Sequence, residues 1–365
     1  MHFIGKLFDG LVLLINLVVL ALFACSCYSD HVSPLQSIYP SFFGILFPFF
    51  FLAVILFIVY WVIRLKWYAV ISVVVILLCW EPVTRYLPYH LMEEKENASD
   101  IKLLTYNTCG LGQNASKNKG REMLDFINRE DPDIVCLQEY TFFKRPDGLT
   151  EKKIRKVLSQ YPYYHYNAAS NNYKIGLAIF SKYPILRTQA INYESLYNNS
   201  CLYELDIKGR KVTVINNHLE SNQLSVEDKA FYNEMIRHFD SDKIEELRTT
   251  LIHKLAKAYR IRAVQADTLN RIINRQKNPV IVCGDFNDTP ISYCYQTIRG
   301  NLKDAFRESG FGPGITYHEN KFLFRIDHVL HSIDFRAYNA KVHRVNYSDH
   351  YPVTVSLAFP DNVAK

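Results

Sequence analysis

Several polar side chains that could bind a metal ion or move a proton follow apolar segments of the sequence. The clearest case is residues 280–290, where an apolar, β-branched segment predicts a buried strand that ends in a tight turn at Gly284. Asp285 and Asn287 follow directly. A carboxylate and a carboxamide two residues apart can hold a hard cation or its bound water, and can donate a hydrogen bond to a phosphate oxygen. This stretch is therefore the first candidate for a catalytic site.

Other segments end in the same way, at an acid, an amide or an imidazole. Asn107, Glu139 and His218 stand at such ends. Asp327 lies in the middle of an apolar strand segment, and Asp349 and His350 are adjacent on a loop before the last strand. Each position alone has an ordinary structural explanation, because an Asn often caps a turn and a strand-end carboxylate is often simply solvated. Together they favour metal-assisted hydrolysis of a phosphate ester, in which a cation polarises the phosphoryl oxygens and an acid-oriented imidazole deprotonates water. The sequence has no serine nucleophile elbow, Walker-type loop or Rossmann glycine pattern.

Six ordered motifs resemble those of the endonuclease/exonuclease/phosphatase superfamily. They are Thr105-Tyr106-Asn107, Leu137-Gln138-Glu139, Asn217-His218-Leu219-Glu220-Ser221, Gly284-Asp285-Phe286-Asn287, Arg325-Ile326-Asp327-His328 and Ser348-Asp349-His350. That superfamily includes deoxyribonuclease-I-like nucleases, apurinic endonucleases, inositol polyphosphate phosphatases and neutral sphingomyelinases. The resemblance covers about residues 99–358 and does not select a substrate.

The resemblance implies a fold and a metal site. The expected fold is a four-layer α/β/β/α sandwich, in which two mixed sheets pack face to face, helices cover both outer faces, and the site lies at one end of the sheets. The expected cofactor is Mg²⁺, with Mn²⁺ as a substitute. Glu139 would be the main ligand, with Asn107 and Asp349 near the cation.

The same resemblance implies roles for the other five candidates. His350, oriented by Asp327, would act as the general base or its equivalent. Asp285 would position or activate the water. Asn287 and His218 would bind the scissile phosphate, and His218 could also protonate the leaving oxygen. Members of the superfamily differ in which group acts as the base.

The first hundred residues are organised differently from the remainder. Apolar segments near residues 7–27, 42–63 and 67–80 are candidate membrane spans, although the third is short for a crossing of about 20 residues. Residues 81–100, which contain prolines and a run of charges, are predicted to be a linker. Residues 101–359 are then the catalytic domain.

The positive charges near these spans predict an orientation. Lys6 precedes the first span, Arg64 and Lys66 lie between the second and third, and the loop from 28 to 40 has neither Lys nor Arg. Since cytoplasmic loops retain Lys and Arg, the N-terminus is expected inside and the catalytic domain outside the cytoplasm. A different interpretation makes the first segment a cleaved signal with a weak lipoprotein-type site at Leu22-Phe23-Ala24-Cys25.

Composition adds only weak constraints. The formal net charge is +6, which is a mild excess for a partner rich in phosphate. Residues 225–277 show helical spacing with a basic face, which is more often a solvated surface than a binding site. Five of the eight cysteines fall after residue 99, and this odd number argues for buried thiols over a complete disulfide framework.

These observations predict an integral membrane protein with an extracytoplasmic, Mg²⁺-dependent phosphodiesterase or phosphatase domain. Its substrate would be nucleic acid or the head group of a phospholipid or sphingolipid, and no obligate protein partner is evident. The alternative is a catalytically silent, membrane-bound binding or scaffold protein with the same fold. The full set of polar site residues argues against that alternative.

Overall fold

The computed structural model describes residues 2–90, 101–112, 118–143, 148–170, 173–193, 195, 198–222, 242–319 and 323–360. Within them, the N-terminal region forms the helices α1 (His2–Cys27), α2 (Tyr39–Ile45), α3 (Phe47–Ile63), α4 (Ala69–Leu78) and α5 (Trp80–Tyr86). A 3₁₀ turn, Ser29–His31, follows α1.

The three apolar segments of this region differ in their geometry. Among the described residues one helix, taken over Gly5–His31, is long and apolar enough to cross a membrane. The pair α2 and α3 bends by 58° and the pair α4 and α5 by 76°, so the number of spans rises to three only if each bent pair is one span. Pro48 at the start of α3 accounts for the first bend, because proline cannot donate the backbone hydrogen bond that would continue α2. One candidate span is therefore supported directly, where three were predicted.

The rest of the described chain contains two six-stranded sheets. The first has the order β11 (Arg336–Val342), β12 (Val353–Ala358), β1 (Ile101–Asn107), β2 (Ile134–Tyr140), β4 (Tyr173–Ser181) and β3 (Tyr163–Ser170). The second has the order β5 (Ile185–Asn192), β6 (Asn199–Ile207), β7 (Arg210–His218), β8 (Val280–Asp285), β10 (Asp327–His331) and β9 (Lys303–Asp304). Both are mixed, because β1–β2 and β7–β8 are parallel and their other described pairs are antiparallel.

The two sheets share a core, and helices cover their outer faces. Side chains of both sheets, such as Cys136 and Cys283, form one buried cluster between them. The helices α6 (Lys119–Glu130) and α7 (Glu151–Val157) pack on the first sheet, while α8 (Asp242–Ile273) and α9 (Tyr293–Arg299) pack on the second. A short helix, α10 (Ala305–Ser309), follows β9. The predicted sandwich of two mixed sheets with outer helices is confirmed.

Two sequence predictions are only partly covered by the described residues. The first part of the predicted linker is helical, since residues 81–86 belong to α5 and its Pro82, Val83 and Arg85 are buried. Residues 91–100 lie outside the described residues. The helix predicted within 225–277 is present as α8, and residues 225–241 again lie outside the described residues. The eight cysteines are unpaired, and those of the sheet core are buried, as expected.

Candidate active site

Strand ends bring five of the candidate residues to one edge of the two sheets. In the first sheet, Asn107 lies opposite Gln138, so that Glu139 follows at the same edge. In the second sheet, His218 lies opposite Asp285, which in turn lies opposite Asp327. The parallel pairs β1–β2 and β7–β8 therefore point their carboxyl ends at a common region, where α/β proteins usually bind ligands.

Two site residues adopt a backbone conformation that is unusual for residues other than glycine. Glu139 has φ of +48°, and the pairing of β2 with β4 shifts register between Leu137 and Tyr140 around it. Asn287 has φ of +52°, a conformation that Asn tolerates better than most residues. Bulges and left-handed residues of this kind redirect side chains, and they occur preferentially at functional sites.

The amide of Asn107 joins the two sheets. Its Nδ2 donates to Glu139 Oε1 at 3.1 Å and to Asp285 Oδ2 at 2.9 Å. His218 lies between the same two acids, with its Nε2 3.4 Å from Glu139 Oε1 and 3.9 Å from Asp285 Oδ2. Four candidates that are far apart in the sequence thus meet within hydrogen-bonding or ion-pair distance.

Asp327 and His350 form a buried pair beside Asp285. Nδ1 of His350 lies 2.8 Å from Asp327 Oδ2, and its Nε2 lies 3.7 Å from Asp285 Oδ2. Burial alone would lower the pKa of His350, but the carboxylates of Asp327 and Asp285 raise it well above the usual value. Burial raises the pKa of Asp285, and the charge of His350 opposes that shift. The Tyr317 ring packs edge-on against the imidazole at 5.0 Å.

Asp349 is connected to the end of β1 through Ser348. The hydroxyl of Ser348 lies 2.9 Å from Asn107 O and 3.1 Å from Asp349 Oδ1, so it ties the loop before β12 to the end of β1. Burial, together with the negative charges of Asp349 and Glu139, raises the pKa of the Cys109 thiol to about 12. Both carboxylates therefore act on the same small region, where a cation would offset their charge.

Asn287 and an unpredicted residue, Asn198, hold the edge of the site. Asn287 N donates to Asp285 Oδ1 at 2.8 Å, and its Nδ2 donates to Leu219 O at 2.9 Å. Nδ2 of Asn198 donates to the same Leu219 O at 2.7 Å and lies 3.4 Å from His218 Nδ1. Asn198 is buried and so helps to orient His218. No sequence motif marks it, and only the pairing of β6 with β7 shows that it lies beside that imidazole.

The donor set fits a hard divalent cation. Ligand atoms of Asp285, Asp327 and His350 lie within 4.8 Å of one another. Oδ1 of Asp327 is buried and has no hydrogen-bond partner among the described residues. Glu139 adds carboxylate oxygens beside this group, whereas Asn107 turns its amide nitrogen toward it and its Oδ1 accepts from Cys109 N at 3.1 Å. Oxygen-rich sites of this type suit Mg²⁺ or Mn²⁺ better than softer metals.

Comparison with known families decides the class of the protein. Residues 104–350 match the model of the Endonuclease/Exonuclease/phosphatase family. The chain belongs to this family. It is accordingly a hydrolase of phosphate ester bonds. Residues 9–86 match a second model, described as a domain of unknown function (DUF8431). No match to the chain was found among curated proteins.

Three solved structures are similar to this chain. An endonuclease/exonuclease/phosphatase from Beutenbergia cavernae is 17% identical, with a TM-score of 0.50 over 71% of this chain and 71% of that one. Truncated TDP2 from Caenorhabditis elegans is 17% identical, with a TM-score of 0.48 over 71% and 97%. A mannosyl-6-phosphatase from Bacteroides thetaiotaomicron is 16% identical, with a TM-score of 0.47 over 71% and 100%. At such identities the Beutenbergia cavernae structure supports the fold and does not indicate a substrate.

Proposed function

We propose that the chain is a membrane-anchored, Mg²⁺-dependent phosphoesterase that cleaves a phosphodiester or phosphomonoester bond. The observation that carries this proposal is the Asp327–His350 pair, whose free imidazole nitrogen lies 3.7 Å from the buried Asp285. That geometry sets an oriented acid–base group beside a carboxylate, at the edge of a cluster of cation-binding oxygens. A silent binding protein would not require it.

The cation would be held by Glu139, with Asn107 and Asp349 beside it. When bound, Mg²⁺ or Mn²⁺ would polarise a phosphoryl oxygen and offset the charge that develops there. Glu139 is suited to this role because its side chain is 31% exposed, whereas that of Asp285 is 1% exposed. Asp285, Asp327 and His350 form the other candidate group of ligands. We favour Glu139 because Asp327 already accepts a hydrogen bond from His350 Nδ1.

His350 and Asp285 would hold and activate the attacking water. The hydrogen bond from His350 Nδ1 to Asp327 fixes the ring orientation, so that Nε2 faces Asp285. A water that contacts both His350 Nε2 and Asp285 Oδ2 can give its proton to Asp285 while the ring is charged, or to His350 once the ring is neutral. Asp327 would stabilise the imidazolium that forms.

His218 and Asn287 would bind the scissile phosphate. Nε2 of His218 faces the two acids Glu139 and Asp285, so a protonated ring can donate a hydrogen bond to a phosphate or leaving-group oxygen near them. The carboxamide of Asn287 keeps one amide hydrogen and its oxygen after donating to Leu219 O. Both groups would therefore stabilise negative charge on the substrate.

The anchor and its orientation belong to the same proposal. Asp9 in α1 pairs with Arg64 at 3.0 Å and with Lys66 at 3.1 Å, which gathers the cationic residues at one end of the helical region. The 3₁₀ turn Ser29–His31 follows the other end of α1. If the cationic end is cytoplasmic, residues 1–80 form the membrane region and residues 101–359 lie on the extracytoplasmic side.

A substrate screen with the purified full chain tests the proposed reaction. We expect Mg²⁺-dependent cleavage, abolished by EDTA, of one or more of single-stranded DNA, RNA, sphingomyelin and inositol phosphates. Bis(p-nitrophenyl) phosphate serves as a generic diester. Glu139→Gln and His350→Ala should each remove the activity while the protein stays folded, and His343→Gln is the control for replacing a buried histidine outside the site. Undiminished turnover in either site variant would disprove the mechanism, and inactivity toward every substrate would favour the silent alternative.

Protease treatment of intact cells tests the orientation. The catalytic domain should be cut from outside, because the proposal places it beyond the membrane. Complete protection in intact cells, with cleavage after permeabilisation, would reverse the orientation and leave the chemistry unaffected.

A further inference from the structure

The N-terminal helical region makes buried polar contacts with the catalytic domain. We propose that it is part of the catalytic unit: the ion pair between Asp30 and Arg85 is a positioning device that acts through Arg325 on the Asp327–His350 pair. This inference rests on the hydrolytic role proposed for that pair. It assigns to the helices a function beyond anchoring.

The ion pair is fully buried at the junction. Asp30 lies in the 3₁₀ turn, Arg85 lies in α5, and Oδ2 and Nη1 are 2.6 Å apart, with 0% and 1% of the side chains exposed. Removing one partner of such a pair leaves an uncompensated buried charge, which is strongly destabilising locally. The pair of Arg64 with Asp9 elsewhere in the helical region offers a contrast, since the Arg64 side chain is 46% exposed.

Arg85 continues from this pair into the catalytic domain. Its Nη1 donates to Gln296 Oε1 of α9 at 2.8 Å, and its guanidinium lies 6.0 Å from the centre of the Tyr295 ring. Close by, Ser29 Oγ donates to Ile291 O at 3.0 Å. The two parts therefore meet through specific hydrogen bonds of buried groups, and not through a loose apolar surface.

Arg325 links Arg85 to the strand that bears Asp327, the partner of His350. Nη2 of Arg325 donates to the main-chain oxygen of Arg85, and the side chain is buried against the Phe306 ring at 4.8 Å. Arg325 stands two residues before Asp327. The backbone N–H of Asp327 donates to Thr316 Oγ1 at 3.1 Å, as does that of the preceding residue at 3.0 Å. The start of β10 is thus held between Thr316 and the end of α5.

A second route runs behind the site through aromatic rings. The Tyr295 hydroxyl donates to Asp304 Oδ2 at 2.6 Å, and the Tyr295 ring packs on His328 at 4.8 Å. Nε2 of His328 lies 3.0 Å from Asp288 O. His328 directly follows Asp327, and Asp288 lies three residues after Asp285. The start of β10 and the segment after β8 are therefore both linked through His328 to Tyr295, whose ring lies beside the Arg85 guanidinium.

A small displacement at this junction should move the Asp327–His350 pair and so lower the reaction rate. Without the Arg85 side chain, Asp30 retains its contact with His31 Nδ1 and Gln296 retains the hydrogen bonds from Arg299, but neither is any longer tied to α5. The helix α5 can then shift together with the carbonyl that Arg325 binds. Misplacement of a catalytic group by about 1 Å can cost roughly 10²-fold in rate. We expect the loss mainly in kcat, because Arg325 acts on β10, which carries Asp327, whereas the phosphate-binding His218 lies on β7.

Matched variants of the full-length protein test the proposal. Arg85→Gln breaks the buried pair, and Arg64→Gln breaks the exposed Arg–Asp pair in the same helical region. For Arg85→Gln we expect kcat toward bis(p-nitrophenyl) phosphate to fall at least about tenfold with KM within about twofold. Hydrogen exchange of residues 326–331 should accelerate by a similar factor, while that of β1 and β7 stays unchanged. Arg64→Gln should change neither quantity by more than about twofold.

The control variants separate positioning from misfolding. Should Arg85→Gln fail to fold, Gln296→Leu removes one acceptor of Arg85, keeps the ion pair, and should produce a smaller change in both measurements. The double variant Asp30→Asn/Arg85→Gln should lose no more activity than the worse single variant if the two residues act as a unit.

Three results would overturn the proposal. The first is a folded Arg85→Gln protein with unchanged kcat and unchanged hydrogen exchange. The second, if Arg85→Gln does not fold, is a Gln296→Leu protein with unchanged kcat and exchange. The third is faster exchange spread equally over all strands, which would indicate general destabilisation. If the wild-type protein cleaves no substrate, the proposed function fails, and the exchange measurements alone decide whether Arg85 positions β10.

Discussion

Both sheets contribute to the site through the carboxyl ends of a parallel strand pair, yet the side chains at these ends differ greatly in exposure. Each sheet has one parallel strand pair, β1–β2 or β7–β8, and its carboxyl ends deliver the polar groups. The first sheet supplies Glu139, whose side chain is 31% exposed. The second supplies Asp285 and His218, whose side chains are 1% and 6% exposed. An accessible carboxylate suits a cation that exchanges with solvent, whereas a buried carboxyl such as Asp285, whose pKa burial raises, suits proton transfer.

Asn107 is the link between these two halves. Its amide donates to one carboxylate from each sheet, at 3.1 Å and 2.9 Å. If the side of the site with Glu139 binds the cation (the cation half) and the side with Asp285 transfers protons (the proton-transfer half), substitutions on the two sides should respond differently to added metal. Loss of a group on the cation half should be offset by more metal, and loss of a group on the proton-transfer half should not.

The largest effect is expected for His350→Ala. His350 precedes β12 of the first sheet, but its imidazole pairs with Asp327 and faces Asp285 of the second sheet, so it acts with the proton-transfer half. Removal of the oriented imidazole should lower kcat by about 10³- to 10⁴-fold, the upper part of the range for general acid–base catalysis. Raising Mg²⁺ should not restore it. Initial rates measured over a Mg²⁺ titration check this, with His343→Gln as the folded control. Recovery at high Mg²⁺ would instead assign His350 to the cation half.

The second effect is expected for Glu139→Gln, on the cation half. The exchange of a carboxylate for an amide keeps the side-chain shape but removes its charge, so apparent Mg²⁺ affinity should fall by at least about 10²-fold. Activity should return in part as Mg²⁺ is raised. Isothermal calorimetry with Mg²⁺ alone gives a readout that does not depend on turnover. An equal loss of rate at every Mg²⁺ concentration would show that Glu139 does not act through cation binding, and the two halves would then not differ.

The positions of these residues could be predicted because strand ends are visible in the sequence. An apolar segment that stops at a polar residue gives both a buried strand and its edge, and this placed Asn107, Asp285 and His218 correctly at one edge of the sheets. The order of six motifs then added the layered fold. Both the strand-end positions and the layered fold can be inferred without any interatomic distance.

Other features depend on tertiary contacts that no local pattern reveals. The left-handed conformation of Glu139 arises at an irregularity in the pairing of β2 with β4. Asn198 reaches His218 only because β6 and β7 pair. The burial of Arg85 is the largest surprise, since a charged residue in a predicted linker is normally solvated. Its partners Asp30 and Gln296 lie far away in the sequence.

A third, smaller effect is expected for Ser348→Ala, at the boundary between the halves. The Ser348 hydroxyl contacts Asn107 O and Asp349 Oδ1, so its loss should loosen both cation-side groups. Loss of such an outer contact typically costs 10- to 100-fold, and we expect about tenfold weaker Mg²⁺ binding. Ser348→Thr retains the hydroxyl and should bind Mg²⁺ almost normally. Equal weakening in both variants would show that bulk at this position matters and the hydrogen bonds do not.

His343 lies outside both halves and provides the smallest effect on catalysis. Its Nε2 lies 2.7 Å from Thr354 Oγ1, its ring packs on Phe126, and its Nδ1 lies 3.6 Å from Glu130 Oε1. Burial lowers the pKa of His343 to about 4, although Glu130 opposes the shift; Lys341 and Lys102 add to it. The residue is therefore neutral in the folded protein under conditions in which an unfolded histidine is charged.

His343→Gln should leave turnover near neutral pH unchanged and should remove the part of the acid-dependent loss of stability that comes from this residue. Between the unfolded pKa of about 6.5 and the folded value of about 4, the unfolded chain binds the extra proton, so stability falls as pH falls through this window. The wild-type protein should thus lose roughly 2–3 kcal/mol at about pH 4.5 from this residue, and the variant should not. Thermal unfolding of both proteins from about pH 7 to 4.5 measures the difference in Tm. Parallel Tm curves would show that His343 titrates normally, and a loss of turnover at neutral pH would place it within reach of the site.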